Sequence, residues 1–207
     1  MSDTTRAPLR AYRLLPSLGE FRTLYLSNLL TLVRWQIAGS PEGNKPTGLS
    51  GEWAATDVGD PRVRPAEFPS GYPGAPVLSR RVADLLGDEL CRAGSFEPLD
   101  IADGPGSIPD AGEYVLYLVR SIVDCLDTRR SSKPKRAGGE VKKAVFRPEA
   151  FPADLPAFRL PVFPTAVYWN GWAVDRLKEL LGDDLEARLI WSEDPTLIPH
   201  PNPWGVL

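Results

Sequence analysis

The chain has 207 residues, and 43% of them are hydrophobic, enough for a sizeable core in one large domain or in one and a half small ones. Its formal net charge is -3 and its pI is about 5.3, so the overall charge favours neither nucleic acid nor an anionic membrane as a partner. The start of the sequence lacks the apolar stretch of a secretory signal, and residues 21–37 are too short and too interrupted by polar side chains to span a bilayer. We therefore expect a cytoplasmic protein without a membrane segment.

The predicted elements are mostly strands, with two clear helices among them. Prolines and glycines, 22 and 18 in number, gather between the elements and predict long, ordered connections. Residues 21–30 fit the helical and the strand period equally poorly. The other apolar patterns predict strands at 10–15, 113–123, 142–147, 158–163, 166–169 and 185–191, and helices that begin at Ser79 and near Asn170. The fold class is therefore α+β, with mostly antiparallel sheets, at least two packed helices and long Pro/Gly-rich loops, and Pro161 places its strand at a sheet edge.

The tetrapeptide Leu-Leu-Gly-Asp ends both helical patterns, at 85–88 and 180–183, and an apolar strand follows each time. Gly87 could lie inside the first helix or end it in a left-handed conformation. This near-repeat predicts two pseudo-repeated helix–strand units, either in two related lobes or on equivalent edges of one sheet. We expect a single domain over 1–207, with 1–75 and 76–194 as candidate lobes and 195–207 as a proline-rich tail.

The sequence offers few groups for catalysis or metal binding. Its only histidine is His200, while Cys91 and Cys125 are far apart and lie in apolar patterns typical of small buried hydrophobes in a reducing compartment. It contains no nucleophile elbow, zinc-ligand spacing or phosphate-binding loop. We therefore predict no catalytic residue, no cofactor and no metal. Asp124 and Asp127 are the best carboxylate pair, although we prefer Asp127 as a turn residue that orders the loop after a strand.

The clearest local charge signal is the basic stretch 129–143. Only Glu140 offsets its cations, which are Arg129, Arg130, Lys133, Lys135, Arg136, Lys142 and Lys143. The stretch could be a solvated loop, a docking surface for an acidic protein, or a nucleic-acid patch. No aromatic residue is interleaved to stack on bases, so we do not expect nucleic acid to be the partner.

Tryptophan is frequent, with 6 in the chain. We expect Trp169, Trp172 and Trp191 in the core, because they flank the start of a helix or end a strand. Two others, Trp35 and Trp53, lie near or in proline- and glycine-rich connections, as does Trp204. These three could cover the core or anchor an interface, where tryptophan is enriched.

The order of several segments resembles a known family. The segments are 12–15, 76–86, 96–99, 113–118, 123–127 with Ser131, 158–160 and 174–177. In this order they are similar to the immunity-protein family numbered eleven of bacterial polymorphic toxin systems, named for a myxobacterial immunity protein. The tail after Trp191 and the basic insert near Lys133 depart from that family.

The resemblance implies a small cytoplasmic protein that binds a cognate toxin, encoded beside it, and neutralises it without catalysis. It carries no catalytic residue onto this sequence. The candidate partner-binding residues are Trp35, Trp53, Asp127, Arg129, Arg130, Lys133, Lys135 and Arg136. The alternatives are a carboxylate-dependent hydrolase that uses Asp124 and Asp127, and a nucleic-acid or regulatory module that uses 129–143.

Overall fold

The computed structural model describes residues 6–17, 21–22, 24–53, 64–70, 72–101, 113–134 and 139–205. Its helices are α1 (Leu29–Ile37), α2 (Arg80–Leu90) and α3 (Gly171–Leu181). Its strands are β1 (Arg10–Pro16), β2 (Phe21–Arg22), β3 (Leu24–Leu26), β4 (Ser50–Trp53), β5 (Arg64–Pro65), β6 (Val77–Ser79), β7 (Gly94–Pro98), β8 (Asp100–Ile101), β9 (Tyr114–Val119), β10 (Ala157–Leu160), β11 (Phe163–Asn170) and β12 (Leu185–Ser192). No helix in these ranges has both the length and the hydropathy needed to cross a membrane.

The largest sheet has the strand order β10-β11-β1-β12, and all its neighbouring strands are antiparallel. In the middle of it, Tyr12 of β1 lies opposite Trp169 on one side and Leu189 on the other. A strand from the candidate lobe 1–75 is thus paired on both sides with strands from 76–194, so the two ranges share a sheet. β10 lies at the edge, but the predicted strand 158–163 is wrong, because β10 ends at Leu160 and Pro161 lies in the turn to β11.

The near-repeat corresponds to a repeated strand–helix–strand unit. In the first unit α2 joins β6 to β7, and both strands pair antiparallel with β9 between them. In the second unit α3 joins β11 to β12, and β1 takes the middle position. Because the middle strand runs against both neighbours, the outer strands of each unit are parallel to each other and the helix makes the crossover. The α+β class, the mostly antiparallel sheets and the two helix–strand units are confirmed.

The two units bury their helices in one shared core. Leu86 on α2 and Leu177 on α3 belong to it, with exposed fractions of 3% and 0%. The rings of Tyr117 on β9 and Trp169 on β11 meet there, with centroids 5.7 Å apart. The Tyr117 hydroxyl donates to the Leu90 carbonyl at 2.6 Å, which satisfies a polar group inside apolar surroundings.

The other face of each sheet is covered as well. On β9, Leu116 faces away from the shared core and packs with Trp53. On β11, Tyr168 contacts Phe146 and Trp204, with ring centroids 5.6 and 5.3 Å away. Burial on both faces explains why β9 is a continuous apolar run instead of an alternating pattern.

The two Leu-Leu-Gly-Asp copies end differently. Gly87 lies inside α2, which continues to Leu90, so the alternative that Gly87 ends this helix is wrong. α3 stops at Leu181, and Gly182 follows it with φ 55, a conformation that favours glycine. The same four residues therefore continue one helix and terminate the other.

Residues 21–30, which fit neither period, contain β2, β3 and the start of α1. Asn28 precedes the helix with φ 60 and makes no side-chain capping hydrogen bond. This helix therefore begins without the capping geometry that makes a helix start recognisable in a sequence. Its buried face carries Leu32, Trp35 and Gln36.

The predicted strand 113–123 is too long. The backbone N–H groups of Arg120 and Ser121 both donate to the Ala93 carbonyl, at 2.8 and 3.1 Å, and β9 ends before them at Val119. Because two successive N–H groups share one acceptor, the regular hydrogen bonding between β9 and β7 ends there.

Two further predictions need correction. The predicted strand at 142–147 is not a regular strand, and a single antiparallel bridge joins Phe146 to Leu126. Cys125 is buried as expected, whereas Cys91 follows α2 and is exposed. Cys91 is therefore not a core residue.

Candidate functional site

Two segments that follow β9 carry the basic residues and are hydrogen-bonded to each other. The backbone N–H of Asp127 donates to the Val145 carbonyl, and that of Ser132 donates to the Lys143 carbonyl, both at 2.8 Å. The Ser131 hydroxyl accepts from the Val145 N–H at 2.9 Å and donates to the Val145 carbonyl at 3.2 Å. Serine side chains thus replace part of the ladder between regular strands, which is why the predicted strand is absent here.

Asp127 orders the turn that opens the basic stretch. Its Oδ1 accepts from the backbone N–H groups of Arg129 and Arg130, at 3.0 and 3.2 Å. This is the turn role that the sequence favours for this residue. Asp124 is exposed, and its Oδ1 lies 3.7 Å from a guanidinium nitrogen of Arg147. Each carboxylate of the predicted pair therefore has a structural partner of its own.

The described cations of this region are all exposed and are called here the basic patch, which consists of Arg129, Arg130, Lys133, Lys142 and Lys143. Arg130 lines two cavities of about 550 and 470 Å³. It shares the larger with Lys142 and Lys143, and the smaller with Arg129. Among the described residues, the side chains of the patch form no ion pair and no hydrogen bond.

Most cations elsewhere on the described surface are in ion pairs, and the exposed Arg34 and Lys178 are exceptions. Ion pairs hold Arg6, Arg10, Lys45, Arg64, Arg80, Arg81, Arg92, Arg120, Arg147, Arg176 and Arg188. The basic patch therefore concentrates uncompensated positive charge on a chain whose formal net charge is -3. Such a local field attracts negatively charged partners and orients them as they approach.

Of the other predicted partner-binding residues, the two tryptophans do not lie on this surface. Lys135 and Arg136 lie outside the described residues. Trp35 and Trp53 are only 5% and 6% exposed and pack in the core beneath α1 and β4. The Trp35 indole N–H donates to the Pro41 carbonyl at 3.1 Å, so it covers the core instead of presenting a ring to a partner. Burial removes both tryptophans from the candidate surface.

The proline-rich tail supplies a wall beside the basic patch, which the sequence did not predict. Residues 195–205 are called here the strap. A groove of about 550 Å³ separates Leu197 and His200 of the strap from Lys142 and Lys143. Trp191 and its neighbours at the end of β12 line the same groove.

Buried contacts hold the strap in place. Trp204 is 6% exposed, and its ring centroid lies 5.3 Å from those of Phe163 and Tyr168. Arg13 and Arg188, which are opposite each other on β1 and β12, both donate to the Gly205 carbonyl, at 3.1 and 2.9 Å. Burial and the neighbouring Arg188 guanidinium lower the pKa of Arg13 to about 10, so it stays charged at neutral pH. A tryptophan among prolines is the sequence signal for this ordered segment.

His200 also belongs to the strap. Its Nδ1 accepts from the Asn202 backbone N–H at 3.1 Å, which places the proton of the neutral imidazole on Nε2. Across the described part of the chain, no group of three or more His, Cys, Asp or Glu side chains is arranged to hold a metal ion. No protein-family model matches the chain, and no curated protein matches it.

Proposed function

We propose that this chain is a cytoplasmic immunity protein, which binds a cognate polymorphic toxin through protein contacts and neutralises it without catalysis. The basic patch carries the proposal, because its cations are exposed and have no partners among the described residues. The order of segments that resembles the immunity family supports the same function. The toxin surface that fits would be acidic.

The unpaired charges of the basic patch cost the fold little and favour association. An exposed ion pair contributes about 0–1 kcal/mol to folding, so leaving the patch unpaired costs the fold little. The same charges, opposite an acidic toxin surface, would raise the association rate and select the orientation of encounter. Rapid capture suits a protein whose task is to block a toxin before it acts.

The backbone that carries the patch is ordered by hydrogen bonds. Asp127 holds the turn at Arg129 and Arg130, and Ser131 and Ser132 tie it to the segment that carries the lysines. A surface that is already ordered loses less conformational entropy when it binds. An interface of standard size, about 1,600 Å² in total, would then be enough for tight inhibition.

The test uses the protein encoded by the adjoining reading frame. Its toxic domain is expressed with the wild-type chain, with the double variant Arg129→Glu/Arg130→Glu, or with the control Arg34→Glu/Lys178→Glu. The control reverses two exposed cations outside the patch and changes the net charge equally. We expect growth and a purified complex with wild type and control, and a drop of about tenfold or more in association rate for the patch variant.

Two results would contradict the proposal. One is a neighbouring product that is harmless when expressed alone. The other is a toxic product that is neither bound nor neutralised by the wild-type chain. Circular dichroism of the purified variants shows whether each retains the fold, so loss of protection can be assigned to the surface.

A further inference from the structure

The groove beside the basic patch has two chemically different walls. Lys142, Lys143 and Arg130 supply positive charge on one side. On the other side lies the strap, where Leu197 lines the groove and is 40% exposed, and Glu193 and Asp194 line it just before the strap. Ile198, the residue after Leu197, is 87% exposed but does not line the groove. An exposed aliphatic side chain next to unpaired cations matches the mixed chemistry of a protein-recognition site.

The apolar wall is held in a defined position. The His200 backbone N–H donates to the Leu189 carbonyl at 2.8 Å, which attaches the middle of the strap to the edge of β12. The Asp194 carboxylate accepts from the Thr196 backbone N–H at 2.8 Å and from its hydroxyl at 2.7 Å, which orders the start of the strap. Together with the buried Trp204, these contacts fix the strap side of the groove before any partner arrives.

We propose that this groove binds an acidic, extended segment of a partner protein, in which carboxylates alternate with aliphatic side chains. The carboxylates would pair with Lys142, Lys143 and Arg130, and the aliphatic side chains would contact Leu197. This inference rests on the proposed function for the partner being a protein. It adds the chemistry of the recognised segment and its place on the surface.

The lining of the groove favours a polypeptide over a nucleic acid. Trp191 lines it but is only 8% exposed and has no free face on which a base could stack, and His200, the other ring in the lining, is half-buried. The exposed side chain of Leu197 in the same lining suits an aliphatic side chain of a polypeptide, which a nucleic acid does not have.

The test is an NMR titration of the full, isotope-labelled chain at low ionic strength. The probe is a blocked pentapeptide of alternating glutamate and leucine, and a thymidine oligonucleotide of the same charge is the comparison. We expect the peptide to shift the amide signals of residues 142–145 and, within 195–201, those of Thr196, Leu197, Ile198 and His200, because the other three residues are prolines and have no N–H. Lys142→Glu/Lys143→Glu should weaken binding about tenfold, whereas Arg34→Glu/Lys178→Glu should leave it unchanged.

The apolar contact has its own matched pair of variants. Leu197→Ala should weaken peptide binding about threefold, whereas Leu85→Ala, at a leucine that is 55% exposed on α2, should have no effect. Peptide shifts confined to other surfaces, equal affinity in the lysine variant, or tighter binding of the oligonucleotide in the groove would each overturn the inference. Toxin neutralisation without peptide binding would remove this inference alone, and peptide binding without neutralisation would remove the proposed function alone.

Discussion

Alanine in place of glycine should have opposite effects in the two copies of Leu-Leu-Gly-Asp. Gly87 lies inside α2, and apart from its chain neighbours and the backbone of its own helix no atom stands within 4 Å of where its Cβ would be. Gly182 has equally open surroundings, but its backbone has φ 55 and ψ -124. Both sites have room for a Cβ, so the backbone conformation decides whether alanine stabilises or destabilises the protein.

The magnitudes follow from that difference. Gly87→Ala should stabilise the protein by about 0.5–1 kcal/mol, because alanine loses less conformational freedom than glycine in a helix. Gly182→Ala should destabilise it by about 1–3 kcal/mol, because a side chain is strained at positive φ. The two variants should therefore differ in free energy of unfolding by about 1.5–4 kcal/mol.

Urea unfolding followed by circular dichroism gives the free energy of unfolding for each variant. Equal dependence on urea concentration in all three proteins shows that they expose the same surface on unfolding. If Gly182→Ala proved as stable as the wild type, or Gly87→Ala less stable, the assignment of one glycine to a helix interior and the other to a helix end would be wrong.

Three more outcomes are expected. Tyr117→Phe removes a buried hydroxyl and its 2.6 Å hydrogen bond to the Leu90 carbonyl, which keeps the bond that it accepts from the Ala93 N–H. Thermal unfolding should therefore show a loss of about 0.5–1.5 kcal/mol, and no change would contradict the hydroxyl bond. Thr196→Ala should raise the pKa of Asp194 toward its ordinary value, because hydrogen bonds from Thr196 lower that pKa. These bonds stabilise the fold slightly at any pH above the ordinary pKa of the carboxyl. The stabilisation is lost as the pH falls through the lowered pKa of the folded state. An NMR titration of that carboxylate measures the shift, and an unchanged pKa would refute the cause given. Burial raises the pKa of the Cys125 thiol to about 12, so a thiol reagent at pH 8 should modify the exposed Cys91 quickly and Cys125 only in denaturant, whereas two fast thiols would be inconsistent with the fold.

Local signals explain which elements were predictable. α2 begins after Ser79, whose hydroxyl accepts from the Val82 N–H at 3.3 Å, and its apolar residues have helical spacing. α1 lacks a capping bond, because Asn28 precedes it in a left-handed conformation. The residues up to its start, 21–30, also fit neither the helical nor the strand period. The helix forms because tertiary packing buries one side of it, which a short sequence window does not reveal.

The candidate surface was predictable only in part, because some of its features are local in the sequence and others depend on distant segments. Charge is visible in a sequence, so the basic stretch was found from its composition. The absence of partners for the patch depends on where acidic residues from other segments lie, and only the structure gives that. The second wall of the groove comes from the strap, which is more than 50 residues away along the chain from Lys142 and Lys143. Its position depends on burial of Trp204, a contact set by the complete fold.

The place of β1 has a consequence for how the protein is made. β1 is synthesised well before both strands that flank it, which lie at 163–192. The largest sheet therefore cannot close until β12 has been synthesised, and joining such distant segments is slow. During that interval the apolar side chains of the unpaired strand are exposed to other nascent chains. Its early arginines, Arg10 and Arg13, keep charge on this segment while it waits.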